Sequence, residues 1–423
     1  MQKREFIKKL GGLSLVSGTF IYQLDRLNAS TSHRSAHDLA SDEDFWMQIR
    51  SGYRLKPDYI NLENGYYCFL PKDILDRHIQ HVQEVNFQGS WYMRTVRVSD
   101  NAEIRKKLAT VVGVTLDEII ITRNTTESLD TIIAGYDWRP GDEAVMAIQD
   151  YGAMLDMFKL QAKRYGINTT KLSIPLHPEN DEELVDLYRR TITPNTRLMM
   201  VPHMVNITGQ IMPVQKIADM AHEHGVDVMV DGAHCIGHFK VNIPDLHADY
   251  YASSLHKWLS TPLGAGMLYV KKDKIEKLWQ IFGDMGYAAN DIRKLNHTGT
   301  HPVHTDLSIQ DAIDYYQMIG PERKEARLRY LQQYWTSQVR DLSHIDLNTP
   351  ADPTRSCGIA NVGIKGMDPG KMARTLLDEY KIFTVAIDYA NVHGCRITPN
   401  VYTSIKELDT FVAALKDMKK YQG

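Results

Sequence analysis

The sequence predicts an α/β protein, with a large domain built on a mostly parallel sheet covered by helices and a smaller α+β C-terminal domain after it. Three observations predict it. Short apolar runs alternate with helical patterns from about residue 103 onward. The strand-like runs are apolar on both faces, as in a sheet covered on both sides. After His304 the texture changes to two long helical stretches, the second rich in Arg, Gln and Tyr. At 423 residues, 43% hydrophobic and 24% charged, the chain has ordinary globular composition and length enough for one large or two moderate cores.

The chain opens Met1-Gln2-Lys3-Arg4-Glu5-Phe6-Ile7-Lys8-Lys9 and continues through a mildly apolar run to Tyr22. A basic start before an apolar segment has the shape of an export signal, expected over residues 1–29. Lys3-Arg4-Glu5-Phe6-Ile7-Lys8 resembles a twin-arginine signal with its first arginine replaced by lysine, so the expected location is exported or periplasmic. The competing reading is an amphipathic N-terminal helix of a cytoplasmic protein. The apolar run, with several Gly and Ser, is too short and too polar for a membrane span.

Residues 30–42 are polar and read as a linker. The large domain is expected over residues 43–304, its N-terminal part being a candidate to join the small domain, and the small domain over 305–423. Tyr59 to Tyr67 reads as a short strand ending in the Asn64-Gly65 turn. Periodicity then predicts helices at Glu103–Val112, Thr126–Ala134, Met154–Tyr165, Asp181–Thr191 and Gln215–His224. Strands are predicted between them at Ile119–Thr122, Glu143–Ala147, Asn168–Leu172, Arg197–Pro202 and Asp227–Val230. The small domain is predicted to hold helices Leu307–Ile319, Pro321–Leu342, Asp368–Tyr380 and Ser404–Met418, with Ser404 as a cap. Its strands are predicted at Gly358–Gly363, near Phe383 and at Cys395–Ile397.

A formal net charge of -3 and the absence of a long basic run interleaved with aromatics argue against a nucleic-acid partner. The four cysteines are far apart and form no Cys-x-x-Cys. Seventeen histidines include no His-Glu-x-x-His, and His222 and His224 face apart on a helix, so no metal is expected. The loop histidines His297, His301 and His304 are the residual candidates.

The stretch Ser253 to Gly266 organises the site. A polar turn over Tyr250 to Ser254 and a buried strand over Gly264 to Val270 are expected to hold Lys257 between them. Desolvation there would lower the amine's pKa and free it for carbonyl chemistry. A surface loop lysine is the competing reading of Ser254-Leu255-His256-Lys257 taken alone. Further candidates fall on loops after strands, where ligands collect in open α/β sheets. Thr122 to Ser128 joins a strand to a helix N-terminus, which with its hydroxyls suits a phosphate; helix capping explains Thr125 or Thr126 equally well. Tyr151, in Gln149-Asp150-Tyr151, can lie over a planar ring or belong to the core. Asn206 can donate to a phenolic oxygen or serve a polar turn. Asp231 ends the buried run Val226-Asp227-Val228-Met229-Val230, where a carboxylate is costly to desolvate without a cation. Such a cation is what a protonated pyridine nitrogen provides; a structural aspartate capping a local turn is the competing reading. Asp231 with Lys257 meets the requirements of pyridoxal phosphate, which needs an aldehyde-binding lysine and a carboxylate that keeps the ring an electron sink.

Over roughly residues 59–415 these segments, in this order, closely resemble the aminotransferase class V family of fold type I pyridoxal-phosphate enzymes, isopenicillin N epimerase-like members in particular. The resemblance implies a seven-stranded sheet in the large domain and pyridoxal 5'-phosphate as cofactor. It implies that Thr125, Thr126, Ser254 and His256 hold the phosphate, Tyr151 stacks on the ring, Asn206 lies near the ring oxygen, and Asp231 pairs with the pyridine nitrogen, with His234 in the same binding segment. Lys257 binds the aldehyde and, with Asp231, is catalytic. Arg396 matches the substrate-carboxylate arginine, with Asn64 as a second substrate contact. Gly299-Thr300 resembles a loop that reaches the neighbouring subunit's phosphate, which implies a homodimer with shared active sites. The expected reaction is epimerisation or transamination at the α-carbon of a small-molecule amino acid. The alternatives are a carbon-sulfur lyase and a pyridoxal-phosphate-binding protein without turnover. A cysteine desulfurase of this family needs a mobile cysteine shortly before the arginine, and none lies between Lys365 and Gly394.

Overall fold

The structure, a computed structural model, describes residues 18–421. The order of its strands fixes where a site can form. In chain order they are β1 (Ile60–Asn61), β2 (Ile119–Thr122), β3 (Glu143–Ala147), β4 (Asn168–Leu172), β5 (Thr196–Pro202), β6 (Asp227–Asp231), β7 (Tyr250–Ser254) and β8 (Gly266–Val270). The C-terminal region adds β9 (Ile345–Leu347), β10 (Ala360–Ile364), β11 (Ile382–Phe383), β12 (Val385–Tyr389) and β13 (Val392–Ile397). Seven strands form one sheet in the order β2-β8-β7-β6-β5-β3-β4. All run the same way except β8, which is antiparallel to both β2 and β7. The expected mostly parallel seven-stranded sheet is therefore present, and the ends of β2, β3, β5, β6 and β7 converge on one edge.

Alternation along these strands builds a core on each face. Val145, Met199, Val201, Val228, Val230 and Met267 pack on one side; Ala144, Met146, Leu198, Met200, Met229 and Leu268 pack on the other. Burial on both faces is why the strands read as unbroken apolar runs. A third core, with Trp335, Val362, Ile397 and Phe411, lies under the antiparallel sheet β12-β13-β10-β9. The β1 strand pairs in parallel with β11, which ties the Glu63-Asn64-Gly65 turn to the C-terminal region.

Three sequence expectations are corrected. Tyr250 to Ser254 is a buried strand rather than a polar turn. Each of its polar tips has a partner, which removes the cost of burying them. Tyr250 Oη donates to Asp227 Oδ2 (3.2 Å), Tyr251 Oη lies 3.0 Å from His203 Nδ1, Ser253 Oγ donates to the Gly232 carbonyl (2.8 Å), and Ser254 Oγ meets Thr125. Residues 30–42 are not a linker, because Ala36–Ala40 is a helix closed by a Ser35–Asp38 capping box. Its Leu39 is fully buried, and its carbonyls accept from Trp46 and Arg327. The ordered fold also begins before Glu43. Helix Gly18–Ser30, assigned from sequence largely to the export segment, packs on helix Val303–Ile319 with Phe20 and Leu24 buried, and Asn28 Nδ2 donates to the Met318 carbonyl at 2.7 Å. The basic run Lys3 to Lys9 lies outside the described residues. Leu24→Ala is expected to cost about 3 kcal/mol of unfolding free energy, measured by denaturant titration; no change in midpoint would mean that this helix contributes nothing to the core.

Helices and strands otherwise fall within a few residues of expectation. Helices Glu43–Arg50 and Lys72–Gln88, the π-helical turn Tyr92–Val96, β9 and β12 are additions. Among the described residues no helix is long and apolar enough to cross a membrane.

Candidate active site

Where the strand ends converge, a cavity of about 470 Å³ opens between the large sheet and β13. Thr125, Thr126, Tyr151, Asn206, Asp231, His234, Ser254, His256, Lys257 and Arg396 all line it. Ten candidates read from separate sequence segments are thereby brought to one space.

The cavity is anchored on one side by helix Thr125–Gly135, whose N-cap is Asn124, its side chain accepting from the Glu127 N–H at 2.9 Å. Capping is therefore not the task of Thr125 or Thr126. Thr125 N–H donates to Ser254 Oγ (3.0 Å), and the two hydroxyls lie 2.8 Å apart. His256, half-buried, is held through Nδ1 to the Ala265 carbonyl (3.1 Å). Burial and the nearby Lys257 pull it down to about 4, so it is neutral. Tyr151 is 51% exposed and is no core residue.

At the centre is Lys257. Burial pulls its amine down to about 8, against the attraction of Asp231 and Glu63 and with the repulsion of Arg396. The lysine lines the cavity rather than the open surface, which sets aside the surface-loop reading. Its Nζ lies 3.0 Å from His234 Nε2. Asp231, at the end of β6, accepts from the Ala233 N–H at 2.9 Å. Burial raises its carboxyl above the ordinary range, and the Ala233 bond and Lys257 oppose that rise.

Arg396 closes the far side, and sequence reasoning missed its partner. Glu63 Oε1 accepts from Nη2 at 2.6 Å and Oε2 from Nε at 3.3 Å, with both side chains buried. Nη1 donates to the Asn206 carbonyl at 3.2 Å. Three of the guanidinium's five N–H donors are thus engaged by the protein. Gly65 makes this packing possible, since a Cβ there would come within 2.8 Å of the guanidinium carbon. The signal lay in the Glu63-Asn64-Gly65 turn, but nothing local says which distant cation the glutamate meets.

Two candidates lie elsewhere. Asn64 is fully buried and does not line the cavity. Its Nδ2 donates to the Thr398 carbonyl (2.7 Å) and its Oδ1 accepts from Tyr402 Oη (2.7 Å), so its amide braces the turn beneath Arg396. Thr300 is exposed, in a loop outside the cavity lining. Asp150, which sequence reasoning named only as part of a loop, also lines the cavity. All four cysteines are buried and none lines it; burial pushes Cys68, Cys357 and Cys395 up to about 12.

Comparison with known proteins agrees with this architecture. The chain is 24% identical over 387 residues to isopenicillin N epimerase of Streptomyces clavuligerus, covering 88% of this chain and 97% of that one. It is 28% identical over 328 residues to a probable cysteine desulfurase of Halalkalibacterium halodurans, covering 73% and 79%. Its fold matches the apo structure of a cysteine desulfurase from Thermococcus onnurineus with a TM-score of 0.79 at 22% identity, over 88% of this chain and 98% of that one. It also matches a cystine C-S lyase in complex with its product cysteine persulfide, with a TM-score of 0.76 at 22% identity, over 85% and 97%. The family model for aminotransferase class-V matches residues 70–403, and with a match of that extent the chain belongs to the aminotransferase class-V family, fold type I enzymes that depend on pyridoxal phosphate.

Proposed function

We propose that this protein acts on the α-carbon of a small amino acid by epimerisation or transamination, in the manner of isopenicillin N epimerase-like members of its family. The observation that carries the reading is the buried Lys257 amine between Asp231 and Arg396, in a cavity whose other wall is a helix N-terminus with hydroxyls. The residues fit the cofactor. Asp231 is a half-buried carboxylate facing the cavity, where it would pair with a cation such as a protonated ring nitrogen. Thr125, Thr126, Ser254 and His256 would hold the phosphate at the helix N-terminus. Tyr151 would cover the ring, with Asn206 and His234 at its edge.

Bound pyridoxal phosphate supplies an electron sink for the charge left at the α-carbon. The rest is the work of the chain. Arg396 orients the substrate carboxylate with the N–H donors that Glu63 and Asn206 leave available. Lys257 Nζ, pulled down to about 8, is an effective base near neutral pH and removes the α-proton. Reaction class then depends on where the proton returns. The exposed loop at Gly299-Thr300 is proposed to reach the phosphate of a second subunit.

Carbon-sulfur lysis is the second reading. It is favoured by the relatives named cysteine desulfurase and by the fold match to a cystine C-S lyase. A persulfide-forming desulfurase is disfavoured, because no thiol lines the cavity. The deciding experiment is a visible spectrum under titration with a panel of amino acids, scoring chirality, keto acid and released thiol. Inverted chirality or keto acid is the expected result. Released thiol with pyruvate would move the assignment to the lyase, and a spectrum unmoved by every amino acid would overturn both.

A further inference from the structure

Behind Lys257 lie three buried rings that the proposed chemistry does not use as a set, and the directions of their hydrogen bonds are dictated by donor inventory. The Gly358 N–H donates to His238 Nε2 at 2.7 Å. That nitrogen is therefore an acceptor, so His238 is neutral with its proton on Nδ1, which donates to the His234 carbonyl at 2.8 Å. The His238 ring lies flat on Trp258, with centroids 3.7 Å apart and planes 18° apart. Lys324 donates to the Trp258 carbonyl from behind. A Cβ at Gly358 would come within 2.9 Å of His238 Nε2 and 3.1 Å of the Trp258 ring, so only glycine lets this loop close over the stack.

An indole N–H can only donate, and Trp258 Nε1 directs its proton to His234 Nδ1 at 3.3 Å. His234 must then carry its own proton on Nε2, which faces Lys257 Nζ at 3.0 Å. A neutral lysine accepts that proton with its lone pair. An ammonium cannot, and would set donor against donor.

We infer that Trp258, acting through the tautomer it imposes on His234, is a positioning residue that shifts Lys257 toward the unprotonated amine, the form that reacts with the cofactor aldehyde. The inference rests on the reading of Lys257 as the cofactor-binding amine. Each group facing that amine has a definite sense. Asp231 and Glu63 favour its protonation, Arg396 opposes it, Cys68 is held as the thiol by burial, and His256 is neutral. His234 does not become a cation itself, because burial and Lys257 push it well below the usual imidazole range. Its hydrogen bond therefore adds to Arg396 on the side of the free amine.

The test is made on full-length protein stripped of cofactor. It is acylated with an amine-reactive ester across a pH series, and labelling of Lys257 is followed by peptide mass spectrometry with exposed Lys272 as the internal control. Wild-type labelling is expected to reach half its maximum near pH 8, following the amine at about 8. Trp258→Phe keeps the stack on His238 but loses the N–H, so His234 can move its proton to Nδ1 and accept from an ammonium. The Lys257 midpoint is then expected to rise by about one pH unit, an about tenfold loss of labelling rate at pH 7, with Lys272 unchanged. His234→Leu removes the donor itself and is expected to shift the midpoint in the same direction, which keeps the test informative if Trp258→Phe does not fold by circular dichroism. His234→Gln, which retains an N–H donor, is expected to restore the midpoint. Equal midpoints in wild type and in the folded variants overturn the inference. The readout needs no cofactor, so a wild-type protein that never acquires visible absorbance with pyridoxal phosphate defeats the proposed function separately.

Discussion

Lys257→Ala is expected to abolish the visible absorbance change on adding substrate and to lower turnover by at least about 10³-fold, since base and cofactor attachment are lost in one side chain. Absorbance titration and a single-turnover assay measure the two effects. Supplying a small primary amine in solution is expected to return part of the rate, because the missing group is an amine that the emptied pocket can admit. A variant that keeps full turnover would remove Lys257 from the chemistry altogether.

Arg396→Met has the second large effect, and it falls on stability as well as function. Glu63 stays behind as a buried carboxylate without its cation, which is expected to cost about 3–5 kcal/mol. The paired change Glu63→Met with Arg396→Met removes both charges and is expected to recover most of that loss, because burying neither ion is cheaper than burying one. Chemical denaturation of the single and double variants separates the cases; a single variant as stable as wild type would show that the pair is not a buried unit. Substrate KM is expected to rise at least about tenfold in both variants, since neither has the guanidinium that would bind the carboxylate.

Much of the site was legible in the sequence because its chemistry is carried by short segments at strand ends. Asp231 after an unbroken apolar run and Lys257 before another are local signals, and the helix start at Thr125 is one as well. Each segment alone had a bland reading. The structure removes three of these: Asn124 takes the capping role from the threonines, the exposure of Tyr151 takes it out of the core, and Lys257 lines the cavity rather than a surface loop. The segments that misled did so for a common reason. Tyr250 to Ser254 carries hydroxyls at four of its five positions and reads as polar, yet Asp227, His203, Gly232 and Thr125 satisfy them and the strand is buried. Residues 36–40 likewise read as linker until Trp46 and Arg327 are seen bonded to their carbonyls.

What the sequence by itself determined is the succession of elements, the parallel sheet, and the residues that come to its edge, since periodicity, strand ends and turn residues act within a few positions of one another. Tertiary structure alone decided the partnerships. The Glu63 carboxylate meets Arg396 across a separation of 333 residues, and His238 meets Gly358 across 120. The first pairing engages the guanidinium of Arg396, and the second fixes the proton of His238 on Nδ1. They depend on the closing of the C-terminal region over the strand ends, which no local pattern encodes.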